Sequence, residues 1–305
     1  MNDAFSAPGA DALRCVRLAS GVELHLVEAG QGEPLVFVHG VMGDWRSWAP
    51  QWPAFTAHHR CISYSRRYNH PNRNDMPSPD HSALVEAEDL DGLLDALALP
   101  SANFIASSYG AFVALALAVR RPERVRALVA VEPAMMCYAE FSAAGRAAWA
   151  RFQDRVVVPA QAAFRAGRDA DGALAMTGGI HHRGSSALQA DGLARRLQNA
   201  RAMRMSALST NEFPLLPPAA LAALPMPVLL VTGENTPQVH AEVFRNVCAA
   251  MPQAHVARVP GAGHAVPGDA PAAFNALALD FLRRPAGDPG RMSPPGSPRK
   301  PAPGC

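Results

Sequence analysis

One serine, one late histidine and a choice of carboxylates have the types and spacing needed for acyl transfer. Ser108 stands in Ile105-Ala106-Ser107-Ser108-Tyr109-Gly110, between the apolar run Phe104-Ile105-Ala106 and Ala111-Phe112-Val113-Ala114-Leu115-Ala116-Leu117. The pattern changes there from strand-like to helix-like, with small residues two before and two after the serine, as in a nucleophile elbow. Such a turn lifts the hydroxyl clear of a sheet and sets it at the positive end of the following helix. Taken alone, the pattern also fits an ordinary strand-to-helix turn in an alanine-rich chain.

A serine hydroxyl needs a base to become a nucleophile, and His264 in Pro260-Gly261-Ala262-Gly263-His264-Ala265 can supply one. Its glycine-flanked loop follows the last strand-like run, so the ring can swing towards Ser108. Gly261-Ala262-Gly263 is no dinucleotide-binding turn, because the third glycine is misplaced and no βαβ unit follows. The tetrahedral intermediate also needs amide donors for its oxyanion. His39-Gly40-Val41 follows the apolar run Leu35-Val36-Phe37-Val38 and turns the chain so that the Val41 N–H can serve. The second donor is the N–H of Tyr109, the residue after the serine. The His39 side chain is expected to bond to backbone and to stay out of the reaction. Two carboxylates compete to stand behind the histidine: Glu132, which closes Val129-Ala130-Val131, and Glu234, one residue past Gly233. An acid ending an apolar strand is costly to bury without a partner, and His264 would be that partner. A site lacking the acid is the third reading.

The elements that must hold these groups follow from hydropathy. Residues 13–18 and 22–28 read as an antiparallel hairpin, and 35–38, 61–64, 125–131, 227–232 and 255–260 as strands. Residues 82–97, with Leu84, Leu90, Leu93, Leu94 and Leu97 at helical spacing, read as a helix, as do the stretch from Tyr109, 241–250 and 270–282. Residues 133–214 are rich in Ala, Arg and Gln at helical spacing and lack β-branched runs. Alternating strands and helices with one all-helical insertion mean a doubly wound, mostly parallel sheet. The site then belongs in the crevice at the C-terminal ends of the strands.

Composition excludes several classes. A net charge of +2 with interspersed signs gives no electrostatic case for nucleic acid or an anionic membrane. The longest apolar stretch, 109–119, is too short to span a bilayer, and residues 1–9 lack the pattern of a signal peptide. Five cysteines without regular spacing read as core residues and a tail thiol in a reducing cytoplasm. The adjacent pairs His58-His59 and His181-His182 diverge and do not make a metal site, so no metal and no cofactor is expected. The proline-, glycine- and charge-rich ends, 1–12 and 285–305, are expected to be disordered.

With Val38-His39-Gly40, Asp44-Trp45-Arg46-Ser47-Trp48, Tyr64-Ser65-Arg66-Arg67-Tyr68, Pro71-Asn72, Gly233-Glu234-Asn235, Pro237 and Pro260-Gly261-Ala262-Gly263-His264, the chain resembles the α/β-hydrolase superfamily over residues 13–284. It looks most like bacterial serine-nucleophile members with a helical cap. The resemblance implies an eight-stranded α/β-hydrolase sheet, with a core of residues 13–133 and 213–284 and a cap of 134–212. It also implies an acid three residues past Gly233, where this chain has Thr236. Some members place the acid after the strand behind the elbow, which favours Glu132 over Glu234. A serine rather than an aspartate at the elbow argues against dehalogenase and epoxide hydrolase chemistry, which needs an alkyl ester on aspartate.

The implied function is a serine hydrolase that cleaves an ester, thioester or lactone of a small, largely apolar substrate through an acyl-enzyme. Carbon–carbon cleavage and cofactor-free perhydrolysis use the same residues, and a ligand-binding protein with weak turnover is the alternative outside catalysis. Met135, Met136, Tyr138, Phe141, Trp149, Phe152, Phe164 and Met176 are expected to form a cap over an apolar pocket, the majority of them packing the cap helices against each other, with Met135, Met136 and Trp45 contacting substrate. Arg66 and Arg67 are candidates for a substrate carboxylate or for the surface. The expected partner is a small molecule, with no nucleic acid and no membrane.

Overall fold

A computed structural model describes residues 12–181 and 190–284. The disorder expected of 1–12 and 285–305 falls outside them apart from Ala12, as do His182 and the tail thiol Cys305. Along the chain come β1 (Arg14–Arg17), β2 (Glu23–Ala29), β3 (Pro34–Val38), α1 (Trp52–Thr56), β4 (Arg60–Tyr64), α2 (Ala83–Ala96), β5 (Ala102–Ser107), α3 (Tyr109–Arg120) and β6 (Val125–Val131). Helices then follow one another: α4 (Ala143–Phe152), α5 (Val158–Arg165), α6 (Asp169–His181), α7 (Ala190–Gln198) and α8 (Ala200–Leu208). After α9 (Pro218–Ala222), β7 (Val228–Gly233), α10 (Gln238–Ala250), β8 (His255–Val259), α11 (Val266–Asp269) and α12 (Pro271–Leu282) complete the described chain.

The strands form one open sheet in the order β1-β2-β4-β3-β5-β6-β7-β8. β1 and β2 pair antiparallel, as do β2 and β4, and the remaining pairs are parallel. The central strands are continuous apolar runs because helices cover both faces. On one face Phe104, Leu128 and Leu230 meet Leu90, Leu93 and Leu94 of α2 and Phe112 and Leu115 of α3. On the other, Phe37, Ile105 and Val129 meet Trp48, Trp52, Phe55, Phe274 and Phe281. α3 has almost no polar face because it is packed between the sheet and its neighbours. The expected stripe on α2 holds except at Leu84, in the first turn beside the Ser82 cap, which is 40% exposed.

From β3 the chain runs outward to β4, then crosses back to β5 on the other side of β3. Turns leaving β3 and β5 therefore diverge, and a crevice opens at their C-terminal ends. His39 to Asp44 leave β3 there, Ser108 leaves β5, Glu132 leaves β6, and the loops after β7 and β8 arrive beside them. Among the described residues no helix is long and apolar enough to cross a membrane.

Candidate active site

Ser108 joins β5 to α3 with φ 54° and ψ −121°. A non-glycine residue held there stores on the order of 1–3 kcal/mol, so its surroundings must enforce the conformation. The Ser108 N–H donates to Val131 O at 2.8 Å, and Ser108 O accepts from Ala111, Phe112 and Ala134 N–H groups at 3.0–3.1 Å. Gly110 lets the end of β3 approach: a Cβ there would stand 2.4 Å from the carbonyl oxygens of both Val38 and His39. Gly110→Ala is therefore expected to destabilise the fold by about 1–3 kcal/mol or more, measured by denaturant unfolding. A change within about 0.5 kcal/mol, typical of surface sites, would show that the elbow does not need its glycine.

His264 reaches the elbow from the loop after β8. Its Nε2 lies 3.0 Å from Ser108 Oγ and its Nδ1 lies 2.6 Å from Glu132 Oε2. A carboxylate only accepts, so Nδ1 carries the proton and Nε2 turns its lone pair to the serine hydroxyl. Glu132 itself has φ 42° and is 1% exposed. Its Oε1 accepts from the Gly233 N–H at 2.8 Å and Thr232 Oγ1 at 2.7 Å, and its Oε2 also accepts from Thr236 Oγ1 at 2.5 Å. With two donors on each oxygen the carboxylate is locked in one orientation. Gly233 also admits the histidine loop, since a Cβ there would meet Gly263 O at 2.2 Å. Asp269 Oδ2 receives the Gly263 N–H, and Glu234 Oε2 receives the Gly261 N–H, both at 2.9 Å. Glu234 is exposed and serves that loop's backbone rather than His264. The ring of His240, on α10, stacks on that of His264 with centroids 3.9 Å apart.

The turn after β3 lies against the serine: a Cβ on Gly40 would be 3.3 Å from Ser108 Cβ. Gly40 O accepts from His39 Nδ1 (2.8 Å), the Gly43 N–H (3.1 Å) and Arg66 Nη2 (3.3 Å). A trans peptide points its N–H opposite its carbonyl, so these three donors also fix the direction of the Val41 N–H. His39 Nε2 accepts the Arg66 N–H at 3.0 Å, which leaves the ring neutral. Burial, then the Arg66 charge, lowers its pKa to about 3. Asn69 Nδ2 holds the next stretch through Val41 O and Gly43 O. Tyr109 opens α3, so its N–H is among the helix's first four, which have no acceptor in a preceding turn.

Two spaces meet at Ser108. An open cleft of about 390 Å³ is lined by Gly40, Val41, Arg46, Ser107, Arg196 and His264, among others. A smaller chamber of about 50 Å³ is lined by Val41, Ser108 and Tyr109 together with Met136, Trp149, Phe152, Met176, Phe213, Glu212 and His240.

Residues 35–277, a span that contains Ser108, Glu132 and His264, match the alpha/beta hydrolase family. The chain belongs to that family. It is 34% identical to the 2-hydroxymuconate semialdehyde hydrolase of Pseudomonas sp. (strain CF600) over 122 residues, 37% of this chain. That match spans only 40% of the relative's length. It is 28% identical over 250 residues to the 2-(acetamidomethylene)succinate hydrolase of Mesorhizobium japonicum, covering 80% of this chain and 86% of that one. A solved hydrolase from Pseudomonas aeruginosa PA01 shares the fold, with a TM-score of 0.72 and 22% identity over 90% of this chain and 100% of that one.

In this hydrolase several expected contacts lie elsewhere. Trp45 does not line either space: its indole packs with Phe37 and Trp48 in the core under the sheet, because the Asp44-capped turn directs it inward. Met135 is likewise core, 1% exposed, since it follows the strand end and faces the sheet. Met136, Trp149, Phe152 and Met176 do line the chamber, whereas Phe164 packs inside the helical insertion and Phe141 is exposed, stacked on Tyr138. Arg66 and Arg67 are neither substrate-facing nor on the surface; they pair with Glu86 and Asp89 of α2. Arg66 also lies over the Tyr109 ring, 4.9 Å from its centroid. His240, Asn69 and Glu212 carry no sequence signal of their own, since only tertiary structure brings them to the site.

Proposed function

We propose that this hydrolase cleaves ester-type bonds of a small, mainly apolar substrate through an acyl-enzyme on Ser108. The hydrogen-bonded chain from Ser108 Oγ through His264 to Glu132, with links of 3.0 and 2.6 Å, carries the reading. His264 Nε2 takes the hydroxyl proton as Oγ attacks the carbonyl, and Glu132 stabilises the imidazolium that forms. The N–H groups of Val41 and Tyr109 receive the oxyanion. Collapse of the intermediate expels the alcohol or thiol, which takes its proton from His264. Water, deprotonated by the same nitrogen, then releases the acid and restores Ser108. The apolar chamber suits the acyl group, and the open cleft suits the leaving group. The four described cysteines are free thiols, which supports a reducing, cytoplasmic setting.

A fluorophosphonate probe should label Ser108, located by peptide mass spectrometry, and p-nitrophenyl esters should give a burst of one nitrophenolate per chain. Folded protein that shows neither label nor burst would overturn the reading.

Arg196 on the cleft wall favours a second reading. It donates to Met42 O at 2.9 Å and forms no ion pair among the described residues, so its charge is available to an anionic substrate. Cleavage of a carbon–carbon bond in a keto-dienoate, monitored by loss of its absorbance, would then exceed ester turnover.

A further inference from the structure

The apolar chamber behind Ser108 holds one carboxyl that the acyl-enzyme chemistry leaves without a task. Glu212 follows α8 and lines this chamber, whose other walls include Met136, Trp149, Phe152 and Phe213. Its Oε1 accepts a hydrogen bond from Ser206 Oγ, and Oε2 has no hydrogen-bond partner among the described residues. Among the described residues no lysine or arginine lines the chamber.

We infer that Glu212 selects the acyl group, and that the preferred acyl chain carries an uncharged oxygen, a hydroxyl or keto group, which receives a hydrogen bond from the Glu212 carboxyl. This rests on the acyl-enzyme reading above. Burial pushes the carboxyl up to about 8, with the Ser206 hydroxyl pulling the other way. At neutral pH the group is therefore mostly a neutral acid, and its free oxygen bears a proton to donate. The titratable groups facing it are Tyr109, whose hydroxyl donates to Glu212 O at 3.4 Å, and His240, which shares the chamber. Arg66 lies over the Tyr109 ring but is already bound to Glu86. A plain alkyl chain filling this space would bury the donor without an acceptor, and that penalty is what a polar pocket uses to reject the deoxygenated analogue. A chain ending in a carboxylate would meet a second carboxyl in apolar surroundings.

The test compares kcat/KM for p-nitrophenyl hexanoate with its hydroxy and keto derivatives, substituted at each carbon from the third outward. At neutral pH one oxygenated ester should exceed the plain one by roughly tenfold or more. That ratio should collapse towards unity in Glu212→Leu and survive in Glu212→Gln, whose amide keeps a donor. In the wild type the ratio for a keto ester, whose oxygen only accepts, should also fall as pH rises through about 8, where the acid ionises, whereas a hydroxy ester can still donate to the carboxylate; both should stay flat in Glu212→Gln. Ser206→Ala, which removes only the local bond, should keep the preference, so a merely structural role for Glu212 would not reproduce the pattern. Turnover of plain and oxygenated esters at equal rates, or a ratio unmoved in Glu212→Leu, would overturn this inference alone. Failure of every ester together with failure of fluorophosphonate labelling would overturn the acyl-enzyme reading, and this inference with it.

Discussion

Ser108→Ala should lower kcat on ester substrates by about a million-fold, the scale seen when a serine nucleophile is removed. The substitution deletes one oxygen and keeps the Cβ, so the backbone at φ 54° is no more strained than before. The four backbone hydrogen bonds that hold the turn do not involve the hydroxyl. Stability should therefore shift by less than about 0.5 kcal/mol, and loss of activity cannot be blamed on unfolding. A residue of catalysis should survive, because amide donors and binding alone still give about 10³–10⁴ over water. Ser107 is the control. It also lines the cleft, one residue earlier, but ends β5 and makes no hydrogen bond to His264 among the described contacts. Ser107→Ala should keep kcat within a few-fold. If instead Ser107→Ala abolished turnover and Ser108→Ala retained even a hundredth of the activity, the nucleophile would be misassigned.

How far the chain could be read in advance depended on whether a signal was local. The strands announced themselves because a sheet covered on both faces needs continuous apolar runs such as Leu35 to Val38, all buried. The elbow was visible because strand and helix periodicities meet at one small-residue turn, and His264 because a strand end ran into a glycine-rich loop. Glu132 stood out as an acid closing an apolar strand, and it is indeed brought to His264. Side-chain direction was not local. Trp45 and Met135 sit beside the site in sequence, yet both turn into the core. Arg66 and Arg67 looked like free charges because their partners, Glu86 and Asp89, arrive from a helix some twenty residues on. Thr236 looked like a missing acid. It is a hydrogen-bond donor to Glu132, a contact that its residue type allows and its position alone could not reveal.

That placement makes Glu132→Gln the most discriminating substitution, with an expected fall in kcat of about 10⁴-fold. The carboxylate takes four donors, two on each oxygen: Thr232 Oγ1 and the Gly233 N–H on Oε1, Thr236 Oγ1 and His264 Nδ1 on Oε2. Glutamine keeps only one accepting oxygen. The Gly233 N–H is a fixed backbone donor and claims it, whereas a threonine hydroxyl can rotate away. The new amide NH₂ then faces His264 Nδ1, which must give up its proton to accept. The proton moves to Nε2, and the ring can no longer take one from Ser108. The loss thus comes from the wrong tautomer in an otherwise intact geometry, so labelling by fluorophosphonate should slow in parallel with turnover. Thr236→Val removes one of the four donors and leaves the tautomer unchanged, so it should cost only about tenfold, the scale of one hydrogen bond. Glu234→Gln should cost little, because Glu234 is exposed and an amide oxygen can still accept the Gly261 N–H. A silent Glu132→Gln beside a crippling Glu234→Gln would reverse the assignment. Equal indifference to both would mean that His264 works without a carboxylate behind it.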